Sequence, residues 1–331
     1  MSTNTPLILA GDIGGTKTNL AVFAGGDPLQ PLAEATFSSA DYRDLETMIS
    51  EFLAGCGLAV GRAAFGVAGP VIDGRAKITK LPWLIDSEAI KTAFRLADVV
   101  AVNDLVATAH GIASLPVSDL ICLNQGGAVK HGPLAVIAPG TGLGEAMMFW
   151  DGQRYQPQAT EGGHALFSPA ERQQLALATF LFERMGAVTY DLLASGRGLP
   201  LIYEFLKLEG RYDEPAWLAQ AMASGDPAPV ITNAAMDSGK ANPLCLATVR
   251  LFVEILAVES ANLALKALST GGLFIGGGIP PRIIPVFRDA FVAAFVGQRS
   301  LRELLAAMPI HLITNPKTAL LGAARLALRI S

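Results

Sequence analysis

Apolar residues arrive first in short unbroken runs and later at helical spacing. Leu7–Gly11 is a short apolar strand, and Thr18–Phe23 reads as a second strand after a glycine turn. Leu45, Met48, Ile49, Phe52 and Leu53 recur at helical intervals, so the segment from about Asp44 to Gly55 is predicted to be an amphipathic helix. Ala63–Val67 is a strand ending at Gly69-Pro70, and Asp86–Leu96 has a helical pattern. Val99–Val102 is apolar throughout, as a strand covered on both faces is. This alternation predicts an α/β sheet whose first two strands pair antiparallel, because a glycine turn joins them. A second strand-plus-glycine unit begins at Leu134–Ala138. From Pro169 to Leu268 the pattern is helical almost throughout. Leu273–Ile275 is a strand running into three glycines, and Ile310–Ile313 precedes a final helix. Asn315 is placed to cap that helix, with Pro316 in its first turn.

The two glycine-rich turns echo each other. A strand followed by Asp12-Ile13-Gly14-Gly15-Thr16 resembles a strand followed by Pro139-Gly140-Thr141-Gly142-Leu143-Gly144. Two halves that each offer such a turn suggest a cleft gripping one phosphate chain from both sides. The chain has 331 residues, and at roughly 100–200 residues per domain that suggests two domains. Hydrophobic residues make up 51% and charged residues 16%, which excludes the composition of a disordered chain. A formal charge of −4 argues against a nucleic-acid-binding surface, so an anionic ligand needs locally placed groups. Cys56, Cys122 and Cys245 are far apart, odd in number and in apolar surroundings. They are expected to be buried free thiols in a reducing compartment. Leu244–Leu268 is very apolar, but Arg250, Glu254, Glu259, Asn262 and Lys266 exclude a membrane span.

Gly11-Asp12-Ile13-Gly14-Gly15-Thr16-Lys17-Thr18 misses the P-loop pattern at one position, where Thr16 replaces a glycine. A strand pattern follows rather than a helix, so the segment is predicted to be a hairpin turn. It is either a plain hairpin or an anion nest, in which the backbone N–H groups around Gly14 and Gly15 approach a phosphate. Thr16 and Thr18 add hydroxyl donors, and Asp12 is placed to hold Mg²⁺ directly or through water. Gly140-Thr141-Gly142-Leu143-Gly144 lacks the spacing and the following helix of a dinucleotide fingerprint. Gly276-Gly277-Gly278 leaves a flat surface that suits an adenine ring, or else is a simple strand-to-helix turn. Asn103-Asp104 ends a buried strand, where α/β folds bind ligands. A carboxylate there serves as general base toward a substrate hydroxyl, as the cap of the helix beginning at Leu105, or as both. Glu161-Gly162-Gly163-His164 has metal-like spacing, but its glycines break a helix. The loop suits hydrogen bonds to a polyol better.

Together these segments resemble a family. With Gly66-Val67-Ala68-Gly69-Pro70 and Ser195-Gly196-Arg197-Gly198-Leu199, they follow nearly end to end the order and spacing of bacterial glucokinases of the hexokinase–actin superfamily. The group is the one without the zinc-binding cysteine cluster of the repressor-type sugar kinases. The resemblance implies a two-lobed, actin-like ATPase (ribonuclease H-like) α/β fold with a mostly helical insertion in the larger lobe. The small lobe would be residues 1–111 plus 316–331 and the large lobe 112–315, the two closing on the sugar. It implies ATP-dependent phosphorylation of glucose at the 6-hydroxyl in the cytoplasm, by a homodimer with no nucleic-acid or membrane partner. Asp104 would be the general base, and Asn103, Glu161, His164 and Asp191 would hold the sugar. Asp12, Gly14, Gly15, Thr16, Lys17 and Thr18 would hold the phosphates and Mg²⁺ together with Gly140, Thr141 and Gly142. Gly277 and Gly278 would line the adenosine site. Two positions depart from the family pattern. Asp191 stands where a glutamate is expected and Lys80 where an asparagine is expected, and both bear on sugar preference. The alternatives are a kinase for mannose, fructose or an amino sugar, and a sugar-responsive regulator on the same fold. A regulator that binds DNA would need a further helix-turn-helix segment or a basic patch.

Overall fold

The computed structural model describes residues 7–26, 29–78, 81–297 and 300–330. Lys80 lies outside the described residues. The chain divides into two compact units, Met1–Asp119 with Asn315–Ser331, and Leu120–Thr314. The first unit runs β1 (Leu7–Ile13), β2 (Lys17–Phe23), β3 (Pro31–Ser38), α1 (Leu45–Cys56), β4 (Val60–Val67), β5 (Val71–Ile72), β6 (Arg75–Lys77), β7 (Leu84–Asp86), α2 (Ser87–Phe94), β8 (Asp98–Asn103) and α3 (Asp104–Ile112). The second begins with β9 (Leu120–Asn124), β10 (Leu134–Pro139), β11 (Leu143–Trp150) and β12 (Tyr155–Thr160). A helical stretch follows: α4 (Arg172–Met185), α5 (Tyr190–Leu193), α6 (Gly198–Leu208), α7 (Ala216–Ser224), α8 (Pro227–Met236) and α9 (Pro243–Ala267). It closes with β13 (Gly272–Ile275), α10 (Pro280–Ile283), α11 (Arg288–Val296), α12 (Arg302–Ala307) and β14 (Ile310–Ile313). The last helix, α13 (Thr318–Arg329), belongs to the first unit.

The likeness of the two glycine turns corresponds to a repeated topology. The first sheet has the order β3-β2-β1-β4-β8 and the second β12-β11-β10-β13-β14-β9. In each, a glycine turn closes an antiparallel hairpin, β1–β2 or β10–β11. In each, the first hairpin strand also pairs parallel with a strand from later in the chain, β4 or β13. The expected hairpin at Gly14-Gly15 is therefore what forms, and no helix follows it.

Alternation along β1 feeds two cores. Leu9 and Ile13 point to the side covered by Met48, Ile49 and Ile90. Ile8 and Ala10 point to the side covered by Leu320, Ala323 and Ala327 of α13. In the second unit α9 is buried along most of its length, with Val249, Phe252, Leu256 and Leu263 fully enclosed. That burial explains the apolar stretch that composition alone flags. Among the described residues no helix is long and apolar enough to cross a membrane.

Three details differ from expectation. Helix α13 starts at Thr318, not beside Asn315. Asn315 still accepts from the Lys317 N–H at 2.8 Å and donates to Asp119 at 2.7 Å, so it fixes the turn before the helix. Asn103, not Asp104, is the residue preceding the first turn of α3. Cys122 is exposed, because β9 lies at the sheet edge, while Cys245 is buried and Cys56 partly so.

Helices α3 and α13 approach so closely that side chains do not fit between them. A Cβ on Gly322 would collide with the Ala107 carbonyl, and one on Gly111 with the Thr318 carbonyl. Both obstacles are backbone, so neither can rotate away. Alanine in a helix is worth about 1 kcal/mol over glycine, yet overpacking typically costs ~1–3 kcal/mol. Gly322→Ala is expected to lower the urea midpoint, and an unchanged or higher midpoint would show that the helices separate at no cost.

Candidate active site

In the first unit, three parallel strands bring the candidate residues to one edge of the sheet. Asp12 on β1 is in register with Gly66 on β4, and Gly66 with Val102 on β8. Asp12 and Asn103-Asp104 thus lie at the same carboxyl end, two strand spacings apart, or about 10 Å. Gly66, in the middle of this row, lets α3 lie close against the sheet. A Cβ there would meet Ala107 Cβ at 2.7 Å and the Asp104 Cα at 3.7 Å. Asp104 is half-buried at the start of α3, and its Oδ1 accepts from the Leu105 N–H at 2.9 Å. Asn103 accepts from the same N–H at 2.9 Å and donates to the Gly69 carbonyl at 3.2 Å. Asp104 thus shares the cap of α3 with Asn103.

The hairpin turn holds its shape through Ser39, which the sequence did not single out. Thr18 is fully buried, and its hydroxyl lies 2.9 Å from Ser39 Oγ. Ser39 donates to the Gly14 carbonyl at 2.8 Å, so its one proton is spent and Thr18 is the donor between the two hydroxyls. Thr18 therefore shapes the turn from below and is not an outward phosphate donor as expected. The Gly14 N–H donates to the Lys17 carbonyl at 3.1 Å. Gly15 is partly exposed, and Thr16 and Lys17 are exposed on the turn. Asp12 accepts from Asn19 at 3.2 Å, and Asn19 accepts from Thr36 at 2.9 Å. Burial pushes the Asp12 carboxyl above its usual range, opposed by the Asn19 hydrogen bond and the charge of Lys17. A carboxylate short of counter-charge in this way fits a divalent cation.

The second unit collects three separate motifs around Asp191. Its Oδ1 accepts from the Leu143 N–H at 2.8 Å in the Gly140–Gly144 turn. Its Oδ2 takes the Arg197 guanidinium and lies 3.9 Å from His164 Nδ1. The carboxylate is nearly enclosed, and a Cβ on Gly142 would collide with it. Arg197 also donates to the Thr141 carbonyl at 3.1 Å, and the Gly196 N–H donates to the Gly140 carbonyl at 2.9 Å. The Ser-Gly-Arg-Gly segment therefore clamps the glycine turn. Arg197 was legible only as part of that motif, because its partners lie 6 and 56 residues away.

Glu161 and His164 protrude from a short helical turn, their side chains 65% and 62% exposed and 4.0 Å apart. They are thus available to a ligand, whereas Asp191 is largely committed. The two glycines between them have separate reasons. A Cβ on Gly162 would collide with the buried Glu145 carboxyl, and one on Gly163 with the Leu143 carbonyl. Gly277 has φ +87° and a Cβ there would collide with the Pro139 carbonyl, so both conformation and space require glycine. Gly278 and Gly140 face open space. The expected strand-to-helix turn is what forms between β13 and α10. Among the described residues no three His, Cys, Asp or Glu side chains gather as a metal site.

Comparison with known proteins gives one consistent answer. The family model described as Glucokinase matches residues 9–330. A glucokinase of Trichormus variabilis is 34% identical over 342 residues, with 98% of this chain and 99% of the relative covered. The crystal structure of a glucokinase from an Antarctic psychrotroph superimposes with a TM-score of 0.81 at 26% identity, covering 97% of this chain and 98% of that one. A Balamuthia mandrillaris glucokinase, solved in complex with glucose, has the same fold, with a TM-score of 0.80 at 22% identity. Coverage is 98% of this chain and 94% of that one.

Proposed function

The chain belongs to the glucokinase family and phosphorylates glucose with ATP, and we propose that Asp104 is the general base of that transfer. The observation that carries this assignment is its place at the carboxyl end of β8, in line with Asp12 on the same sheet edge. A carboxylate there takes the proton of the sugar 6-hydroxyl as the oxygen attacks the γ-phosphorus, which makes the oxygen a better nucleophile. Phosphoryl transfer otherwise rests on positioning and charge.

The second unit supplies the positioning. Glu161 accepts from sugar hydroxyls, and His164 donates or accepts according to its tautomer. Asp191 acts mainly through others: it holds His164 and the N–H that anchors the glycine turn. One methylene shorter than the glutamate of the family pattern, it fits the space left by Gly142. With the Gly14 and Gly140 N–H groups spent inside their own turns, the N–H groups of Gly15, Thr16, Thr141 and Gly142 are those offered to the phosphates, and Lys17 adds a positive charge. Gly277 and Gly278 present a surface without side chains to the adenosine. Asp12 would hold Mg²⁺, directly or through water. The metal, when bound, neutralises charge on the phosphate oxygens. The cytoplasm, where ATP is at hand as phosphoryl donor, is the location this reading proposes.

ADP release with Mg-ATP and a panel of glucose, mannose, fructose, glucosamine and N-acetylglucosamine tests the substrate. Glucose is expected to give the highest kcat/KM, and a higher value with another sugar would overturn the glucose assignment. Glu161→Ala and His164→Ala are each expected to raise the glucose KM by about tenfold, the equivalent of one lost hydrogen bond of ~1.4 kcal/mol, with the ATP KM near that of the parent. Equal damage to both constants would remove these residues from the sugar site.

A further inference from the structure

Glu145 and Glu259 take no part in the chemistry described so far, yet they are among the most deeply buried charged residues of the chain. Glu145 is 2% exposed and Glu259 is fully enclosed. Their carboxyls are neighbours, each acting on the other's titration. Oε1 of each lacks a hydrogen-bond partner, as does the neighbouring buried Ser260 Oγ. Among the described residues the cation that acts on them is Lys266, whose Nζ stands 3.8 Å from Glu259 Oε1 at the solvent side. Two carboxylates so placed cannot both be ionised at low cost, because desolvation and like charge act in the same direction.

What lies on the pair gives it a function. Glu145 on β11 is in register with Thr160, the last residue of β12 before the Glu161–His164 loop. Gly162 rests on the Glu145 carboxyl with no room for a side chain. The Gly162 N–H is held by Thr160 Oγ1 at 2.7 Å. On the other side Asn262 donates to Glu259 at 2.8 Å and to the Tyr190 hydroxyl at 3.2 Å. The Tyr190 N–H donates to the Ala165 carbonyl at 3.2 Å, just past His164, and Asp191 is its chain neighbour. The pair therefore touches one end of the sugar-binding segment directly and reaches the other through Asn262 and Tyr190.

We propose that Glu145 and Glu259 share one proton and act as positioning residues, forming the neutral floor on which the Glu161–His164 loop is held for sugar binding. This rests on the reading of that loop as the sugar site. Burial, then the charge of Glu259, push Glu145 up to about 8, with Lys266 opposing. Burial likewise raises Glu259, opposed by Asn262, Lys266 and Tyr190. The titratable groups facing the pair are Lys266 from α9 and Tyr190 from α5. Below about pH 8 Glu145 donates its proton to Glu259. Above it, two anions repel directly under Gly162 and the loop loses its support. The folded carboxyl sits above its ordinary value of 4.5. Its contribution to stability is thus complete below that value and is lost as pH rises through about 8.

Glu145→Gln keeps the shape and the donor of the protonated form at every pH. The experiment measures glucose KM, ATP KM and the urea midpoint for the full-length parent and this variant from about pH 6.5 to about pH 9.5. In the parent, the glucose KM should rise at least about fivefold above pH 8 while the ATP KM stays level, and the urea midpoint should fall. In Glu145→Gln both trends should flatten, with Glu259→Gln as the mirror variant if the first folds poorly. An alkaline rise in glucose KM that persists unchanged in the variant overturns the proposal. A flattened urea profile with an unflattened KM also overturns it, leaving a proton-sharing pair with no hold on the sugar. If His164→Ala and Glu145→Gln both leave the glucose KM untouched while the urea profile flattens, the sugar-loop reading itself has failed.

Discussion

Asp104→Asn should fold like the parent, bind ATP and glucose, and lose at least about a hundredfold in kcat, since a general base typically supplies ~10²–10⁴-fold. The local structure survives because asparagine keeps the Oδ1 acceptor that the Leu105 N–H uses. Asn103 holds the same N–H independently, so α3 keeps its cap. The substitution removes only the capacity to take a proton. Glucose and ATP KM should therefore stay within a few-fold of the parent, the signature of a group that acts in the transition state. A variant retaining more than about a tenth of parental kcat would show that the sugar oxygen needs no base here, because even a modest base contributes ~10²-fold. A melting temperature well below that of the parent would instead make Asp104 primarily a cap.

Asp191→Ala should damage both substrates at once. The carboxylate joins Leu143, Arg197 and His164, which belong to three separate motifs. Its loss leaves the buried Leu143 N–H without an acceptor, at a cost of ~1–3 kcal/mol. The Arg197 guanidinium is half exposed, so its released ion pair adds little by itself. Its other bond, to the Thr141 carbonyl, then has no fixed origin, and the Gly140–Gly144 turn loosens. The glucose KM should rise because His164 loses its neighbour, and the ATP KM because the phosphate turn is no longer held. A combined loss of about a hundredfold in kcat/KM corresponds to ~2.7 kcal/mol, within reach of these terms. Asp191→Asn keeps the acceptor for Leu143 and should fall in between. An alanine variant that raises the glucose KM alone would mean that Asp191 meets the sugar directly and that its hold on the turn is incidental.

The contrast between Asp104 and Asp191 shows where sequence reading succeeds. Asp104 follows an unbroken apolar run, so its place at a strand end is a local matter of periodicity and needs no knowledge of distant contacts. Asp191 was legible only as a match to a family pattern. Its burial against Leu143 and Arg197 depends on how α5 meets the β10–β11 turn, 48 residues away along the chain. Thr18 shows the same limit. Its spacing suggests an outward hydroxyl, but the register of β2 turns it inward onto Ser39. One residue of strand register decides which face a side chain takes, and neighbours fix that register.

The sequence by itself determined the elements that arise from local pattern. These are the first glycine hairpin, the second strand-plus-glycine unit, the helical stretch from Pro169 to Leu268, and the strand ends that carry Asp12 and Asp104. Strand alternation and helical spacing are properties of neighbouring residues, and glycine acts on its own backbone, so nothing further was needed. Only the tertiary structure decided the rest. It set the strand order that repeats in both sheets and the packing of Gly322 against Ala107. It turned Arg197 into the clamp on Asp191. It also brought Glu145 against Glu259, residues 114 positions apart that sequence alone gives no reason to join. Each of these depends on elements meeting through space, where burial sets the cost of charge and backbone contact sets the room for a side chain.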